Sequence, residues 1–189
     1  MEHMTDDLRH GGAVGATVWL TGLPSAGKTT IARTASDALR TAGRRTHVLD
    51  GDELRARLTA DLGFSRRDRE ANVRRVGYVA QLLASHGVTV LVPVIAPYAD
   101  ARHAVRAHHE ATGTAYVEVH VATPVEVCAA RDVKGLYARQ ARGELSGLTG
   151  VDDPYEPPDT PDLRIPAHEQ SSTESAEALV ALLREKGLA

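Results

Sequence analysis

The stretch GLPSAGKT at residues 22–29 decides the fold, because it matches the pattern G-x-x-x-x-G-K-[S/T] at every fixed position. An apolar run at Thr17–Leu20 precedes it and a helical pattern at Lys28–Thr41 follows, which is the strand–loop–helix context that the motif requires. Glycines let the backbone curl so that successive N–H groups point at phosphate oxygens, and the helix N-terminus adds partial positive charge. The stretch therefore predicts a loop that binds the phosphates of a nucleoside triphosphate.

Two side chains of this loop carry the expected chemistry. Lys28 is placed to neutralise the β- and γ-phosphates, and the Thr29 hydroxyl is placed to hold Mg²⁺. The sequence has no N-K-x-D guanine signature, so ATP with Mg²⁺ is the predicted ligand pair. The motif alone leaves open whether the phosphate passes to water, to a protein switch or to a small molecule. The predicted ATP-binding residues of the loop are Gly22, Ser25, Ala26, Gly27, Lys28, Thr29 and Thr30.

The rest of the chain alternates apolar, β-branched runs with longer helical patterns. Strands without polar alternation, separated by helices, are typical of a parallel sheet covered on both faces. We therefore predict an α/β fold of the P-loop NTPase type, with three layers and a doubly wound parallel sheet of about five strands. The predicted strands are Thr17–Leu20, His47–Leu49, Val88–Ile95, Ala115–Val121 and Asp162–Ile165. The predicted helices are Lys28–Thr41, Glu53–Leu58, Asp68–His86, Ala99–Ala111, Pro124–Arg131 and Ser172–Lys186.

Length and composition narrow the class of protein. The chain has 189 residues, one cysteine and a formal net charge of −3. That length suits one domain with a small-molecule substrate, and the weak negative charge gives no basic footprint for nucleic acid. One cysteine excludes an internal disulfide framework and fits a reducing cytoplasm, and no apolar run approaches the ~20 residues of a membrane helix. We therefore expect a cytoplasmic protein that binds neither nucleic acid nor membrane.

The chain divides into two parts, and the second contains an irregular segment. Residues 1–15 are polar and predict a disordered lead-in, and residues 16–189 predict a single P-loop kinase domain. The segment Arg142–Pro161 is rich in Gly, Asp and Pro and is too long for an ordinary connection. It predicts a mobile lid over about residues 131–160. Within the lid, Asp153 and Tyr155 either stiffen the segment or touch the substrate.

Two carboxylates follow the second predicted strand, where the C-terminal ends of parallel strands meet the phosphate loop. Asp52 is the candidate to orient or deprotonate an acceptor hydroxyl. Asp50 is the candidate to assist the metal shell. The alternative for either one is to cap the helix that begins near Glu53, as acidic residues often do.

Further blocks carry a family resemblance. The chain contains, in order, LDGDELRARL at 49–58, LGFSRRDREANVRRVG at 62–77, VIAPY at 94–98, TPVEVCAARDVKGLY at 123–137 and GLTGVDDPYEPP at 147–158. With the phosphate loop, these blocks resemble the adenylylsulfate kinase family of P-loop kinases. The resemblance implies transfer of the ATP γ-phosphoryl group to the 3′-hydroxyl of adenosine 5′-phosphosulfate (APS), which gives 3′-phosphoadenylyl sulfate. It also implies a homodimer.

The same resemblance implies roles for matching positions. Lys28 and Asp52 would be catalytic, and Arg131 would lie near the ATP base or phosphates. Phe64 would lie against the adenine of the acceptor. The full acceptor-binding set is Asp52, Arg55, Phe64, Arg69, Asn72, Ile95, Lys134 and Leu148.

Helical phase separates the five arginines of SRRDREANVRR at residues 65–75. Ser65 with Asp68 resembles an N-cap pair, so a helix starts here. At 100° per residue, Arg69 and Asn72 lie on the side of Val73 and face inward. An inward arginine needs a partner, which is either an anionic ligand or an internal carboxylate. The same phase turns Arg67, Arg74 and Arg75 toward solvent and leaves Arg66 at the edge.

Several positions depart from the family pattern on the acceptor side. The family usually has serine, arginine and phenylalanine where this chain has Ala96, Ala99 and Leu148; Glu53 and Tyr78 also differ. Loss of aromatic stacking at residue 148 is worth roughly 0.5–1.5 kcal/mol, which weakens binding without excluding it. Two alternatives therefore stay open. One is a related P-loop kinase acting on a hydroxyl of another anionic nucleoside-like or small-molecule acceptor, and the other is a nucleotide-binding protein without catalysis.

Overall fold

The computed structural model of the chain describes residues 14–189. The predicted lead-in at residues 1–15 therefore lies outside the described residues, apart from its last two positions. Across residues 14–189, none of the helices combines the length and apolarity that crossing a membrane requires.

A single parallel sheet forms the middle layer. Its strands are β1 (Ala16–Thr21), β2 (Thr46–Val48), β3 (Thr89–Pro93), β4 (Ala115–Val121) and β5 (Leu163–Ile165). Their order across the sheet is β2-β3-β1-β4-β5, and every pairing is parallel. This arrangement confirms the predicted doubly wound sheet of five strands. Since β1 is central, its C-terminal end lies at the point where the chain can turn to either side.

Seven helices surround the sheet in the described residues. They are α1 (Lys28–Thr41), α2 (Gly51–Arg57), α3 (Arg66–Ser85), α4 (Ala99–Ala111), α5 (Val125–Arg131), α6 (Leu136–Ala141) and α7 (Ser172–Glu185). The predicted helices agree with these bounds to within two residues at each end. Helix α6 was not predicted, because its six residues are too few to show a period and the surrounding segment is rich in glycine.

Side chains alternate between two cores on either face of β1. Val18 and Leu20 join the cluster formed with helices α1 and α7, whereas Trp19 joins the cluster formed with α3 and α4. Every residue of β1 is buried, which explains why its sequence shows no polar alternation. The two cores fix α1 on one face and α3 on the other, and the functional residues lie where the loops of both faces meet.

Candidate active site

The phosphate loop follows β1 directly and has the backbone that the glycine pattern predicts. Gly22 and Gly27 adopt φ of 154° and 106°, and Ser25 between them has a φ of 62°. A Cβ atom at Gly22 would lie 2.6 Å from the carbonyl oxygen of Val121, so only glycine fits there. Helix α1 begins at Lys28 without a side-chain cap, which leaves its first N–H groups available to a phosphate.

Lys28 is buried at the base of this loop. Its Nζ donates to the carbonyl oxygens of Gly22 at 2.8 Å and Leu23 at 2.7 Å. Burial lowers the pKa of Lys28 to about 7 from its usual value near 10.5, and the Cys128 thiol nearby opposes that change. A bound triphosphate would favour the charged form again. We therefore expect the protonation of Lys28 to respond to a bound phosphate.

Arg131, which the family resemblance places near the ATP base or phosphates, lies at the end of α5 beside the phosphate loop. Its guanidinium donates to the carbonyl oxygens of Ala26 at 3.4 Å and Ala167 at 3.0 Å. The hydroxyl of Thr123 donates to the same Ala26 oxygen at 2.9 Å. These contacts join α5 and the segment after β5 to the loop, on the side away from α3. The position suits a contact with the nucleotide, which stays a prediction.

The two carboxylates after β2 have different surroundings. Asp50 caps α2, since its side chain accepts from the backbone N–H of Asp52 at 3.0 Å, and it also pairs with Arg33 at 3.2 Å. The capping alternative therefore describes Asp50 in this structure, although a role beside a metal is not tested. Asp52 has a side chain 76% exposed, and its carboxylate pairs with the ammonium of Lys134 from the lid.

At the predicted acceptor side, an exposed aromatic ring lies close to two arginines. Phe64 is 67% exposed, which is unusual for such a large apolar side chain. The guanidinium carbons of Arg55 and Arg69 lie 4.5 Å and 5.8 Å from the centre of its ring. Arg55 is held by the carbonyl oxygens of Leu62 and Gly63. An exposed ring between two cations offers a stacking surface and charge for an anionic aromatic ligand.

Arg69 faces inward, as helical phase predicts, and its partners come largely from the lid. It donates to Gly147 O at 2.7 Å and to the hydroxyl of Thr149 at 2.9 Å, and it lies 3.2 Å from the carboxylate of Asp153. The internal carboxylate is thus its partner here, and an anionic ligand would have to share or replace that pairing. Its neighbour Asn72 accepts from the hydroxyl of Thr59 at 2.8 Å.

The remaining arginines of α3 lie at the surface, and two of them, Arg66 and Arg75, have local partners. Ser65 caps the helix as predicted, accepting from the N–H of Asp68. Arg67, Arg74 and Arg75 are exposed, and Arg75 makes a bidentate pair with Asp61. Arg66, which helical phase left at the edge, stacks 4.4 Å from the centre of the Tyr98 ring and bonds Glu70.

Two predicted acceptor residues lie deeper than their proposed roles suggest. Leu148 is 5% exposed and packs in the core beside Leu23, so a role in covering the acceptor requires the lid to move. Ile95 is half-buried, and its carbonyl oxygen accepts from the Thr21 hydroxyl at 2.5 Å. Both roles stay predictions.

Of the residues that attach the lid to the sheet, the sequence singled out Tyr155 as one that could stiffen the lid, but it gave no sign of Glu156 and Arg102. The Tyr155 hydroxyl lies 3.1 Å from that of Thr21 at the end of β1, and burial raises the pKa of Tyr155 to about 12. Glu156 bonds the loop after β3 through its backbone and side chain, and Arg102 on α4 bonds both segments. Only the block GLTGVDDPYEPP hinted at this attachment.

The donor set suits a magnesium ion held chiefly by phosphates. Within residues 14–189 there is no group of three or more His, Cys, Asp or Glu side chains arranged to hold a metal. Mg²⁺ commonly keeps several waters and is bound through one or two protein groups together with substrate phosphates. The hydroxyl of Thr29 in the first turn of α1 and the carboxylates after β2 are donors of this kind.

These features define a class of protein. An ATP-dependent P-loop kinase, which transfers phosphate to a hydroxyl, has these features. They are a parallel sheet of this strand order, a phosphate loop with a buried lysine, and a second charged surface near that loop. The family model of adenylylsulphate kinase matches residues 14–166. The chain belongs to the adenylylsulphate kinase family.

Named relatives agree with this membership. The chain is 52% identical over 149 residues to a probable adenylyl-sulfate kinase of Synechocystis sp.. The aligned region covers 79% of this chain and 82% of that protein. It is 47% identical over 173 residues to the adenylyl-sulfate kinase of Synechococcus sp. (strain JA-2-3B'a(2-13)), covering 92% and 97% of the two chains. Among solved structures, the Mycobacterium tuberculosis APS kinase CysC in complex with AMPPNP and APS superposes with a TM-score of 0.88 at 45% identity, covering 91% of this chain and 99% of that one.

Proposed function

We propose that the protein phosphorylates the 3′-hydroxyl of APS with ATP and Mg²⁺, giving ADP and 3′-phosphoadenylyl sulfate. The observation that carries the proposal is the exposed Phe64 beside Arg55 and Arg69, since Arg69 bonds the lid segment that packs on Leu23 of the phosphate loop. An adenine ring with an anionic phosphosulfate is a ligand of matching chemistry. The similar M. tuberculosis enzyme, in complex with AMPPNP and APS, supports this pairing of ligands.

The transfer requires one group that holds the phosphates and one that orients the hydroxyl. Lys28 and the N–H groups of the loop would bind the β- and γ-phosphates and offset charge that develops during transfer. Asp52 would accept the hydroxyl proton or hold the hydroxyl in line with the γ-phosphate, and its exposure leaves it free to reach a ligand. Bound Mg²⁺ would add positive charge beside the phosphates, with Thr29 as its protein donor.

The lid would separate this chemistry from water. We propose that about residues 131–160 open for substrate entry and close over both ligands. In the closed state Lys134 would contact the ligands instead of Asp52, and Leu148 would contact them instead of the core. The pairing of Lys134 with Asp52, both exposed, supports a contact that a substrate can replace.

Two further features belong to the proposal. The buried, free Cys128 fits a reducing compartment, so we place the protein in the cytoplasm. We also propose a homodimer, which sedimentation of the purified protein tests directly.

A coupled ADP-release assay tests the choice of acceptor. The panel contains APS, adenosine 5′-monophosphate, which lacks the sulfate, and small hydroxyl compounds without a base. We expect ADP release to depend on APS and to be at least tenfold slower with the other compounds. Faster turnover of another acceptor would favour the related-kinase alternative, and nucleotide binding without transfer to any acceptor would identify a protein without catalysis.

A further inference from the structure

One buried arginine lies behind the acceptor side of the site and has no part in the proposed transfer. Arg102 belongs to α4, and its side chain is 1% exposed. A buried charge is costly unless it is paired and fully hydrogen-bonded, so its partners indicate what it does. The sequence predicted only that Ala99–Ala111 is helical, which gave no sign of this burial.

The guanidinium of Arg102 makes three bonds from three different nitrogens. Nε donates to Glu118 on β4 at 2.9 Å, which supplies the compensating charge. Nη1 donates to the carbonyl oxygen of Ala96 at 2.7 Å, and Nη2 donates to the carbonyl oxygen of Glu156 at 2.7 Å. One side chain thus joins the sheet, the loop after β3 and the lid.

The loop after β3 has a backbone that needs such support. Ala96 has a φ of 42°, a left-handed conformation that alanine rarely adopts and that typically costs about 1–3 kcal/mol. It lies next to Ile95, a predicted acceptor-binding residue. The bond from Arg102 to the Ala96 carbonyl therefore fixes the backbone that presents Ile95 to the acceptor.

Glu156 attaches the lid to the same loop in two further ways. Its N–H donates to the carbonyl oxygen of Pro97 at 2.8 Å. Its carboxylate accepts from the N–H of Ala99 at 2.7 Å. This bond caps the start of α4, where the N-cap residue Tyr98 makes no side-chain hydrogen bond. Three residues earlier, Asp153 meets Arg69. The loop and this end of the lid are thus bonded to each other, and Arg102 bonds both.

Residues 95–98 of the loop after β3 are called the acceptor loop. We infer that Arg102 is a positioning residue that couples the lid to this acceptor loop, so that both adopt the geometry for acceptor binding together. None of the three bonds involves the phosphate loop, so we expect the coupling to act on acceptor binding more than on nucleotide binding. The inference rests on the proposed function for the location of the acceptor, and it does not depend on which acceptor is bound.

Arg106, one turn further along α4, provides a matched control. It pairs with Asp162 at 2.9 Å and lies 3.6 Å from Glu118, so it belongs to the same charged network. Its hydrogen bonds reach neither the acceptor loop nor Glu156. A purely structural network would make Arg102 and Arg106 variants behave alike, whereas coupling makes them differ.

Steady-state kinetics of Arg102→Lys and Arg106→Lys test the inference. Lysine keeps the charge beside Glu118 but cannot bond three acceptors in three directions. We expect the APS KM of Arg102→Lys to rise about tenfold or more, with the ATP KM unchanged within about twofold. Arg106→Lys should leave both values unchanged within about twofold.

Glu156 variants test the second attachment between the lid and the loop after β3, which the Glu156 carboxylate makes to the N–H of Ala99. Glu156→Ala removes the cap on Ala99 and should raise the APS KM, whereas Glu156→Gln keeps an acceptor oxygen and should restore it. An APS KM that is unchanged in Arg102→Lys, or in Arg102→Gln if the lysine variant does not fold, or that rises equally with the ATP KM, would overturn the inference. The Arg102 variants decide this outcome, because Glu156→Ala leaves all three bonds of Arg102 in place.

Hydrogen exchange distinguishes failure of this inference from failure of the proposed function. With AMPPNP bound and no acceptor, we expect Arg102→Lys to exchange faster than the wild type in both residues 95–99 and 153–156. Arg102→Gln takes its place if Arg102→Lys does not fold. Arg106→Lys should match the wild type in both segments. If APS proves not to be a substrate, this comparison still decides the coupling, and unchanged exchange in both segments would overturn it.

Discussion

The ammonium group of Lys134 in the lid pairs with the carboxylate of Asp52, the predicted catalytic residue 82 positions earlier in the chain. Both side chains are mostly exposed, so the pair contributes little to stability, typically 0–1 kcal/mol. The contact nevertheless brings the lid to the group that would orient the acceptor hydroxyl. A substrate that binds here must break the pair, because it has to contact Lys134, Asp52 or both.

Replacing Lys134 with methionine should therefore impair turnover while sparing stability. The variant keeps the length of the side chain but lacks the charge that would bind the ligands after the lid closes. We expect kcat/KM for APS to fall about tenfold or more, while the free energy of unfolding changes by less than about 1 kcal/mol. Lys134→Arg serves as the control and should retain more activity. Equal activity of the methionine variant and the wild type would exclude the proposed role of Lys134.

Lys28 should take up a proton when the nucleotide binds. Burial lowers its pKa to about 7, so at pH 8 most of the free protein holds a neutral lysine, while a bound triphosphate favours the ammonium form. The complex then carries the extra proton, and the nucleotide affinity falls as pH rises above about 7. Calorimetry of AMPPNP binding at pH 8 in buffers of different ionisation enthalpy should give roughly one proton taken up.

The control for that measurement is Lys28→Arg, whose guanidinium stays charged and should give no uptake if it binds. The difference in proton uptake between the two proteins excludes any protons that the nucleotide itself takes up or releases on binding. Equal proton uptake in both proteins, or none in the wild type, would contradict the lowered pKa of Lys28.

Arg69 and Arg67 lie two residues apart on α3 and should behave differently. Arg69 reaches the lid and the Phe64 ring, whereas Arg67 is exposed. Hydrogen bonds to charged groups contribute about 1.5–3 kcal/mol, so Arg69→Lys should raise the APS KM about 10- to 100-fold. Arg67→Lys should leave it unchanged. Similar KM values for the two variants would remove Arg69 from the acceptor site.

Leu148→Phe tests whether this lid position covers the acceptor base. A stacked ring contributes about 0.5–1.5 kcal/mol, so the APS KM should fall by up to about tenfold if residue 148 meets the adenine. Because Leu148 is buried, the larger ring should also lower the melting temperature. Val151→Phe, at an exposed lid position, is the matched control and should leave the KM unchanged. An unchanged KM for Leu148→Phe would place residue 148 in the core alone.

The sequence was sufficient for the features that depend on local pattern. The phosphate loop, the five strands and the inward direction of Arg69 all follow from spacing, because glycine positions and helical phase are set by neighbours in the chain. The cap at Ser65 follows for the same reason.

Features that depend on distant contacts could not be derived in this way. Arg102 meets Glu156 across 54 residues, and Arg69 meets Gly147 across 78. Nothing in the local pattern distinguishes Arg102 from the half-exposed Arg106, since only the fold decides which one lies behind the loop. The partner of Arg69 likewise depended on where the lid packs.

The most direct test of the central claim is transfer of the γ-phosphoryl group from ATP to the 3′-oxygen of APS, followed by ³¹P NMR of the product. The account predicts a 3′-phosphorylated product with the wild type. It also predicts a kcat at least about 100-fold lower with Asp52→Asn, as expected on loss of an acid–base group, while AMPPNP binding is retained. No 3′-phosphorylated product from the wild type, or equal kcat values for the two proteins, would contradict it.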